Sequence, residues 1–218
     1  MKKLKIKRIQ VGYLFTNCYI LYHEESKKAV IIDPGDTPEM IEKEWTKLGL
    51  KPEAILLTHG HSDHIMAVPA LQEKFHLPIF AGEDEAELLT RSDWNFSDPA
   101  LGIHIVADHW VKDEEVLSLA DFTIKVITTP GHTAGSVCYY VEDEQVLISG
   151  DTLFLGSLGR TDLPTSSTKD ILDSIMNKLL ILPEEVQVYP GHDDSTTIAY
   201  ERIHNPAVDH ERRRHRVT

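Results

Sequence analysis

The sequence predicts an α+β fold. Three short β-type runs open the chain before any helical pattern appears, and later strands are interleaved with amphipathic helical segments. No linker, repeat or low-complexity tract divides the 218 residues, so a single domain over 1–218 is expected. Hydrophobic residues at 41% beside 26% charged are enough for a proper core and leave no reason to expect disorder.

Residues 4–9 set Leu4, Ile6 and Ile9 among Lys5, Lys7 and Arg8, the pattern of a strand with one wet face. Residues 18–22 and 29–33 read as a hairpin across the charged stretch 23–28, ended by the turn Asp33-Pro34-Gly35. Met40, Ile41, Trp45 and Leu48 share a helical face, with Gly49 suited to the C-cap. Residues 54–57 predict a buried strand, and Ile65, Val68, Leu71 and Phe75 predict a helix over 65–75. A short strand at 78–81 and a helix at 83–90 follow.

Between 91 and 119 the pattern weakens. Trp94, Phe96, Pro99 and Trp110 are scattered among acids and small residues, so the stretch reads as a less regular insertion. Its aromatics either pack it to the body or edge a substrate cleft. Strands return at 122–127, 136–141 and 145–149, and a loop spans 155–167. Ile171, Leu172, Ile175, Leu179 and Leu180 define an amphipathic helix, 186–189 is the last strand, and a short helix at 196–204 closes at Asn205-Pro206.

The net charge of -13 argues against a nucleic-acid binder, which needs a basic face. Lys2, Lys3, Lys5, Lys7 and Arg8 read as the wet side of the opening strand, and Arg212, Arg213, Arg214 and Arg216 as a solvated tail. No apolar run approaches the ~20 residues that span a bilayer, and no h-region follows the first lysines. Cys18 and Cys138 sit in apolar runs as small hydrophobes, not as a disulfide framework. A cytoplasmic protein without membrane partners is expected; oligomeric state is not legible.

The chemistry gathers at Thr58-His59-Gly60-His61-Ser62-Asp63-His64, a tight turn leaving the strand 54–57. A plain strand-to-helix turn, with Ser62 or Asp63 as N-cap, explains one residue of the seven. Three imidazoles and a carboxylate converging on a small volume are instead what zinc and its first-row neighbours bind. The same local pattern recurs at His132 after Pro130-Gly131, at Asp151 after Gly150, and at His192 after Pro190-Gly191. Strand ends along one sheet edge lie close in space, so these residues can form one cluster. His23, His76, His104, His109, His204, His210 and His215 fit no ligand slot.

With these motifs in order, the chain resembles the metallo-β-lactamase-fold hydrolases, in the glyoxalase II-like (hydroxyacylglutathione hydrolase) branch. The residues that carry the likeness are Asp33-Pro34-Gly35, THGHSDH at 58–64, TPGHTAGS at 129–136, GDTLF at 150–154, GSLGRTD at 156–162 and YPGHD at 189–193. The resemblance implies a four-layer αββα sandwich with two divalent ions, zinc first and iron or manganese next, at one edge. One ion would take His59, His61 and His132, the other Asp63, His64 and His192, with Asp151 between them. Asp33 would steady the histidine turn or merely end a strand, and Arg160 and Asp162 would brace a loop. A hydroxide held between the ions would attack the carbonyl of a thioester such as S-lactoylglutathione, with Asp63 orienting it as catalytic residue. The thiolate, of pKa near ~8.5, departs without a dedicated acid. The sequence does not identify substrate-binding residues.

Long glyoxalase II enzymes carry a further helical domain that supplies much of the glutathione site. Only 26 residues follow His192, so the short single-domain form is expected. Rival readings are a mononuclear iron persulfide dioxygenase, which tends to have Ala where this chain has Gly191, and a nuclease, which usually adds a nucleic-acid module. A non-enzymatic metal-binding scaffold commonly loses ligands. True β-lactamases are disfavoured by the missing secretion signal and by Asp151, and flavo-diiron proteins usually place Glu where His61 stands.

Overall fold

A computed structural model describes residues 4–101 and 103–208. Lys2, Lys3, His210, Arg212, Arg213, Arg214, His215 and Arg216 lie outside the described residues. The first sheet contains, in spatial order, β1 (Leu4–Val11), β2 (Thr16–His23), β3 (Lys28–Ile32), β4 (Lys51–Leu56), β5 (Ile79–Gly82) and β6 (His109–Val111). Pairing is antiparallel through β1, β2 and β3, and parallel from β3 to β6. Helix α1 (Pro38–Lys47) makes the first crossover, and α2 (Ser62–Ile65) with α3 (Val68–Phe75) makes the second.

The second sheet holds β7 (Val116–Leu119), β8 (Phe122–Thr128), β9 (Val137–Val141), β10 (Val146–Gly150), β13 (Gln187–Pro190) and β14 (Thr196–Thr197). Because β9 runs antiparallel to both β8 and β10, and β13 is parallel to β10, the strands β8, β10 and β13 point the same way. Their C-terminal ends share one edge. Strands β11 (Leu153–Phe154) and β12 (Ser157–Leu158) form a separate hairpin within the stretch expected to be loop.

The two sheets face each other. Tyr19, Leu21, Val30, Ile32 and Leu56 of the first pack against Ile124, Val126, Tyr139 and Ile148 of the second. The alternate residues of the first sheet, among them Cys18, Ile20, Ile31 and Ile55, meet Ile41 and Trp45 of α1 and Val68 and Leu71 of α3. On the far side, Cys138, Leu147 and Val188 meet Ile171, Ile175 and Ile198. Those come from α6 (Thr168–Ser174), its π-helical continuation Ile175–Leu179, and α7 (Ile198–His204). The period-2 pleat with both faces covered thus produces the four layers αββα.

Two tyrosines cross the sheet interface beside the edge that carries the histidine turns. Tyr139 of β9 donates to the Leu57 carbonyl at 2.9 Å, and Tyr19 of β2 donates to the Pro190 carbonyl at 2.7 Å. Each buried hydroxyl is satisfied by the opposite sheet, one residue before Thr58 and two before His192.

Two local expectations are corrected. The stretch 91–119 is not an insertion laid over the fold: β6 completes the first sheet, β7 edges the second, and the chain passes between sheets there. These strands of three and four residues, each with one buried side chain, Val111 and Leu117, are too short to show a period. Helix 65–75 breaks at Met66-Ala67, since Pro69 has no N–H to continue the ladder, and Ala67 N–H bonds the Pro34 carbonyl instead. Trp94 stacks under Arg91 and Trp110 packs on the first core, whereas Phe96 is 53% exposed.

Candidate metal centre

Five strands deliver the predicted residues to one edge. Asp33 follows β3, His59 and His61 leave the end of β4, and Asp63 and His64 lie in α2. His132 follows β8, Asp151 follows β10 and His192 follows β13. All seven predicted ligands and Asp33 come together. Within that cluster the described residues hold three groups whose donor atoms lie within 4.8 Å of one another: His59, His61 and His132; Asp33, His59 and His64; and Asp63, His64 and His192.

Hydrogen bonds around the rim set which imidazole nitrogen faces inward. Asp33 accepts from Thr58 N–H at 2.8 Å and from the Thr58 hydroxyl at 2.6 Å. Having donated its proton there, the Thr58 hydroxyl must accept at 3.1 Å from His59 Nδ1–H, which leaves His59 Nε2 as a bare lone pair. His64 Nδ1 lies 3.0 Å from Asp33 Oδ2, so its Nε2 turns toward the cluster. His132 Nδ1 donates to the Arg160 carbonyl at 2.9 Å, which aims its Nε2 inward, 2.9 Å from His61 Nδ1. Such partners are what orient metal-binding imidazoles. Both oxygens of Asp33 are engaged behind the histidines, so it serves the cluster through them.

Asp151 stands between the groups. Its Oδ1 is 3.4 Å from His64 Nε2, while Oδ2 is 3.6 Å from His132 Nε2 and 3.5 Å from His192 Nε2. Asp63 Oδ2 is 3.2 Å from His192 Nε2 and accepts from the Thr16 hydroxyl at 2.8 Å. Asn17 holds the turn before His192 through Gly191 and Pro190 carbonyls at 2.7 and 3.0 Å. A Cβ on Gly191 would stand 2.2 Å from Asp151 Oδ1 and 2.7 Å from His64 Cε1, so only glycine permits this approach.

The donor set fits a metal. His59 Nε2, His64 Nε2 and Asp151 Oδ1 are buried without a hydrogen-bond partner among the described residues. Such orphaned atoms are costly in a folded protein unless something else satisfies them. Burial pushes the His59 imidazole far down, and burial with His132 brings His61 to about 3, so both are neutral lone-pair donors. Burial would raise the carboxyls, but His64 and the other histidines outweigh it, holding Asp63 well below the usual range and Asp151 at about 2. Burial would lower His64 and His192, yet Asp63 and Asp151 raise both.

The cluster floors a cavity of about 760 Å³. Its walls include Tyr13, Leu14, Phe96, Phe154, Leu158 and Leu163, with Arg160 at the rim. Arg160 forms a forked pair with exposed Asp162, at 2.7 and 2.8 Å. Sequence reasoning missed Thr16, Thr58 and the Arg160 carbonyl, because a hydroxyl or peptide group carries no signature until the fold brings it near a ligand. Among the remaining histidines, His23 accepts from Glu25 and Ser26 N–H, His109 pairs with Glu115, and His204 stacks on Tyr200, all away from the centre.

The metallo-beta-lactamase superfamily profile matches residues 11–192, a span from the end of β1 to the last histidine of the cluster. The chain belongs to the metallo-beta-lactamase superfamily. Within this superfamily it is 38% identical over 209 residues to a probable metallo-hydrolase, YqgX, of Bacillus subtilis, covering 94% of this chain and 98% of the relative. It is 33% identical over 211 residues to hydroxyacylglutathione hydrolase GloC of Haemophilus influenzae, covering 94% and 99%. Among solved structures, the BLEG-1 B3 metallo-beta-lactamase superposes with TM-score 0.87 at 43% identity, covering 94% and 99%. TTHA1623 in a di-iron-bound form gives TM-score 0.81 at 35% identity, covering 92% and 98%. ETHE1 from Myxococcus xanthus gives 0.78 at 27%, covering 94% and 85%. The metallo-beta-lactamase fold is therefore shown, and with it a metallo-hydrolase with a candidate divalent-metal site. No helix among the described residues is long and apolar enough to cross a membrane.

Proposed function

We propose that this chain is a cytoplasmic, binuclear metal-dependent hydrolase of thioesters, S-lactoylglutathione or a related acyl-thiol. The observation that carries it is the placement of Asp151, whose carboxylate lies within 3.6 Å of His132 from one donor set and of His64 and His192 from the other. In this reading His59, His61 and His132 hold one ion, Asp63, His64 and His192 the second, and Asp151 both. Asp33 stays behind, fixing the histidines. Zinc suits the nitrogen-rich set, and the di-iron neighbour supports iron as the other occupant.

Two divalent ions in such a site supply a water of pKa near ~7 and Lewis-acid polarisation of a carbonyl. The chain's own contribution is orientation. Asp63, ionised and anchored by Thr16, accepts a hydrogen bond from a water beside it and sets its direction. Tyr13, Leu14 and Phe96 line the cavity beside His61 and His132 and offer an apolar surface to an acyl group there. A thiol leaving group has a low enough pKa, ~8.5, to depart as thiolate, so the absence of a dedicated acid is no obstacle. The Haemophilus influenzae relative supports the thioester class.

The ETHE1 likeness supports the second reading, a mononuclear iron persulfide dioxygenase. Gly191 weighs against it, since such dioxygenases tend to have Ala at this position, where a Cβ would crowd Asp151 Oδ1 and His64. The test is purified protein assayed under nitrogen and in air with S-lactoylglutathione, glutathione persulfide and a chromogenic β-lactam. Oxygen-independent thioester hydrolysis is expected. Oxygen uptake on persulfide without hydrolysis makes the chain a dioxygenase, turnover of the lactam alone makes it a lactamase like its solved neighbour, and metal binding without turnover makes it a scaffold.

A further inference from the structure

Glu85 ends the acidic run Glu83–Glu85, a 3₁₀ turn joining β5 to α4 (Ala86–Thr90), yet it is 1% exposed. Among the described residues no Lys or Arg pairs with it. Its Oε1 accepts from Gly60 N–H at 2.8 Å. Its Oε2 accepts from Gly135 N–H at 2.9 Å and from the Thr133 hydroxyl at 3.0 Å. Gly60 lies between His59 and His61, and Thr133 follows His132 directly. One carboxylate therefore clasps the two turns that bring these three histidines together, and those turns are far apart in sequence.

The clasp is closely fitted. A Cβ on Gly135 would stand 2.2 Å from Glu85 N and 2.6 Å from Glu85 Oε2, so the second turn can seat against Glu85 only because residue 135 is glycine. Burial pushes the carboxyl up to about 7 even against the three hydrogen bonds that favour its charged form. A buried acid held at that cost, beside a cluster of ligand-type side chains and touching none of them, calls for a role.

We propose that Glu85 is a positioning residue for the metal centre: its carboxylate fixes the spacing between the His59–His61 turn and the His132 turn. The proposal rests on the metal-centre reading above. Glu85 touches neither substrate nor ion; it acts through the backbone of the turns. Glutamine is a demanding replacement, because it offers one acceptor oxygen and turns an amide N–H against a donor on the other side.

The test loads cobalt(II) into metal-free wild type, Glu85→Gln, Thr133→Val and Leu179→Ala, the last a buried truncation in the helical layer of the second sheet. Cobalt affinity is read by chelator competition, coordination by the visible spectrum, and thermal stability alongside. Glu85→Gln is expected to lose affinity by roughly 10-fold, as partners outside the ligands do, with an altered spectrum. Thr133→Val removes one of the three donors to Glu85, together with the hydroxyl's 2.6 Å pairing with Ser136, and should change both in the same direction by less; it decides the matter if Glu85→Gln does not fold. Leu179→Ala should lose stability while keeping wild-type affinity and spectrum. Wild-type affinity and spectrum in both clasp variants would overturn the proposal. A wild type that takes up no cobalt would instead sink the metal-centre reading, and this inference with it.

Discussion

Asp33 and His64 meet at 3.0 Å, Oδ2 to Nδ1, at the buried back of the donor cluster. The same oxygen accepts from the Thr58 hydroxyl at 2.6 Å, and that hydroxyl receives His59 Nδ1. One carboxylate thus sets the tautomers of two histidines. Asp33→Asn keeps an acceptor for Thr58 but can present an amide N–H to His64 Nδ1. Zinc affinity should fall by roughly 10–100-fold with the circular dichroism spectrum unchanged. Unaltered affinity in a chelator titration would show that Asp33 only ends a strand.

Gly191 provides a test of the number of ions. In Gly191→Ala the added methyl would sit 2.2 Å from Asp151 Oδ1, so that carboxylate must withdraw. Elemental analysis should show the ion count falling well below two per chain, with both positions weakened as in a loss of Asp151. Two ions in the variant would mean that Asp151 is not shared.

Proton release should distinguish the two halves. His59 and His61 are already neutral at neutral pH, while Asp63 and Asp151 raise His64 and His192 above the ordinary value. In the metal-free chain the raised pair add stability fully present below pH about 6.5 and lost as pH rises through their folded values. An ion binding there must displace those protons, so its affinity rises with pH. Calorimetry in buffers of different ionisation enthalpy, near neutral pH, should show the second ion releasing more protons than the first. Equal release for both would contradict these assignments.

His61→Ala should abolish hydrolysis while the unfolding midpoint stays close to wild type, because His61 lies in a turn at the sheet edge, outside the cores. Asp151→Ala should lower occupancy at both positions together. Retained turnover in His61→Ala would remove it from the ligand set.

Stability near the site should depend on the tyrosines that cross the sheets. Tyr139→Phe leaves the buried Leu57 carbonyl without its 2.9 Å donor and should cost about 1–3 kcal/mol in urea unfolding. An unchanged midpoint would mean that the carbonyl finds another partner.

The residues of the donor cluster were legible because histidine and aspartate carry their chemistry in their identity, and the glycine before Asp151 or His192 marks a close approach. The layers were legible where apolar residues repeat, as in β2, β4 and α1. What the chain alone could not reveal depends on proximity. Thr58 and Thr16 are ordinary hydroxyls until the fold places them on His59 and Asp63, and nothing in the acidic run Glu83–Glu85 marks Glu85 as the buried member. Strands β6 and β7 escaped because three or four residues hold too little pattern. Phe96 lies within 5.7 Å of the His61 ring only once 91–119 has passed from one sheet to the other.

The most direct test of the central claim is elemental analysis of the purified wild-type chain, with iron, zinc and manganese determined together. The proposed arrangement of His59, His61, His132, Asp63, His64, His192 and Asp151 predicts close to two ions per chain. A single ion per chain, unchanged after incubation with excess metal, would contradict it.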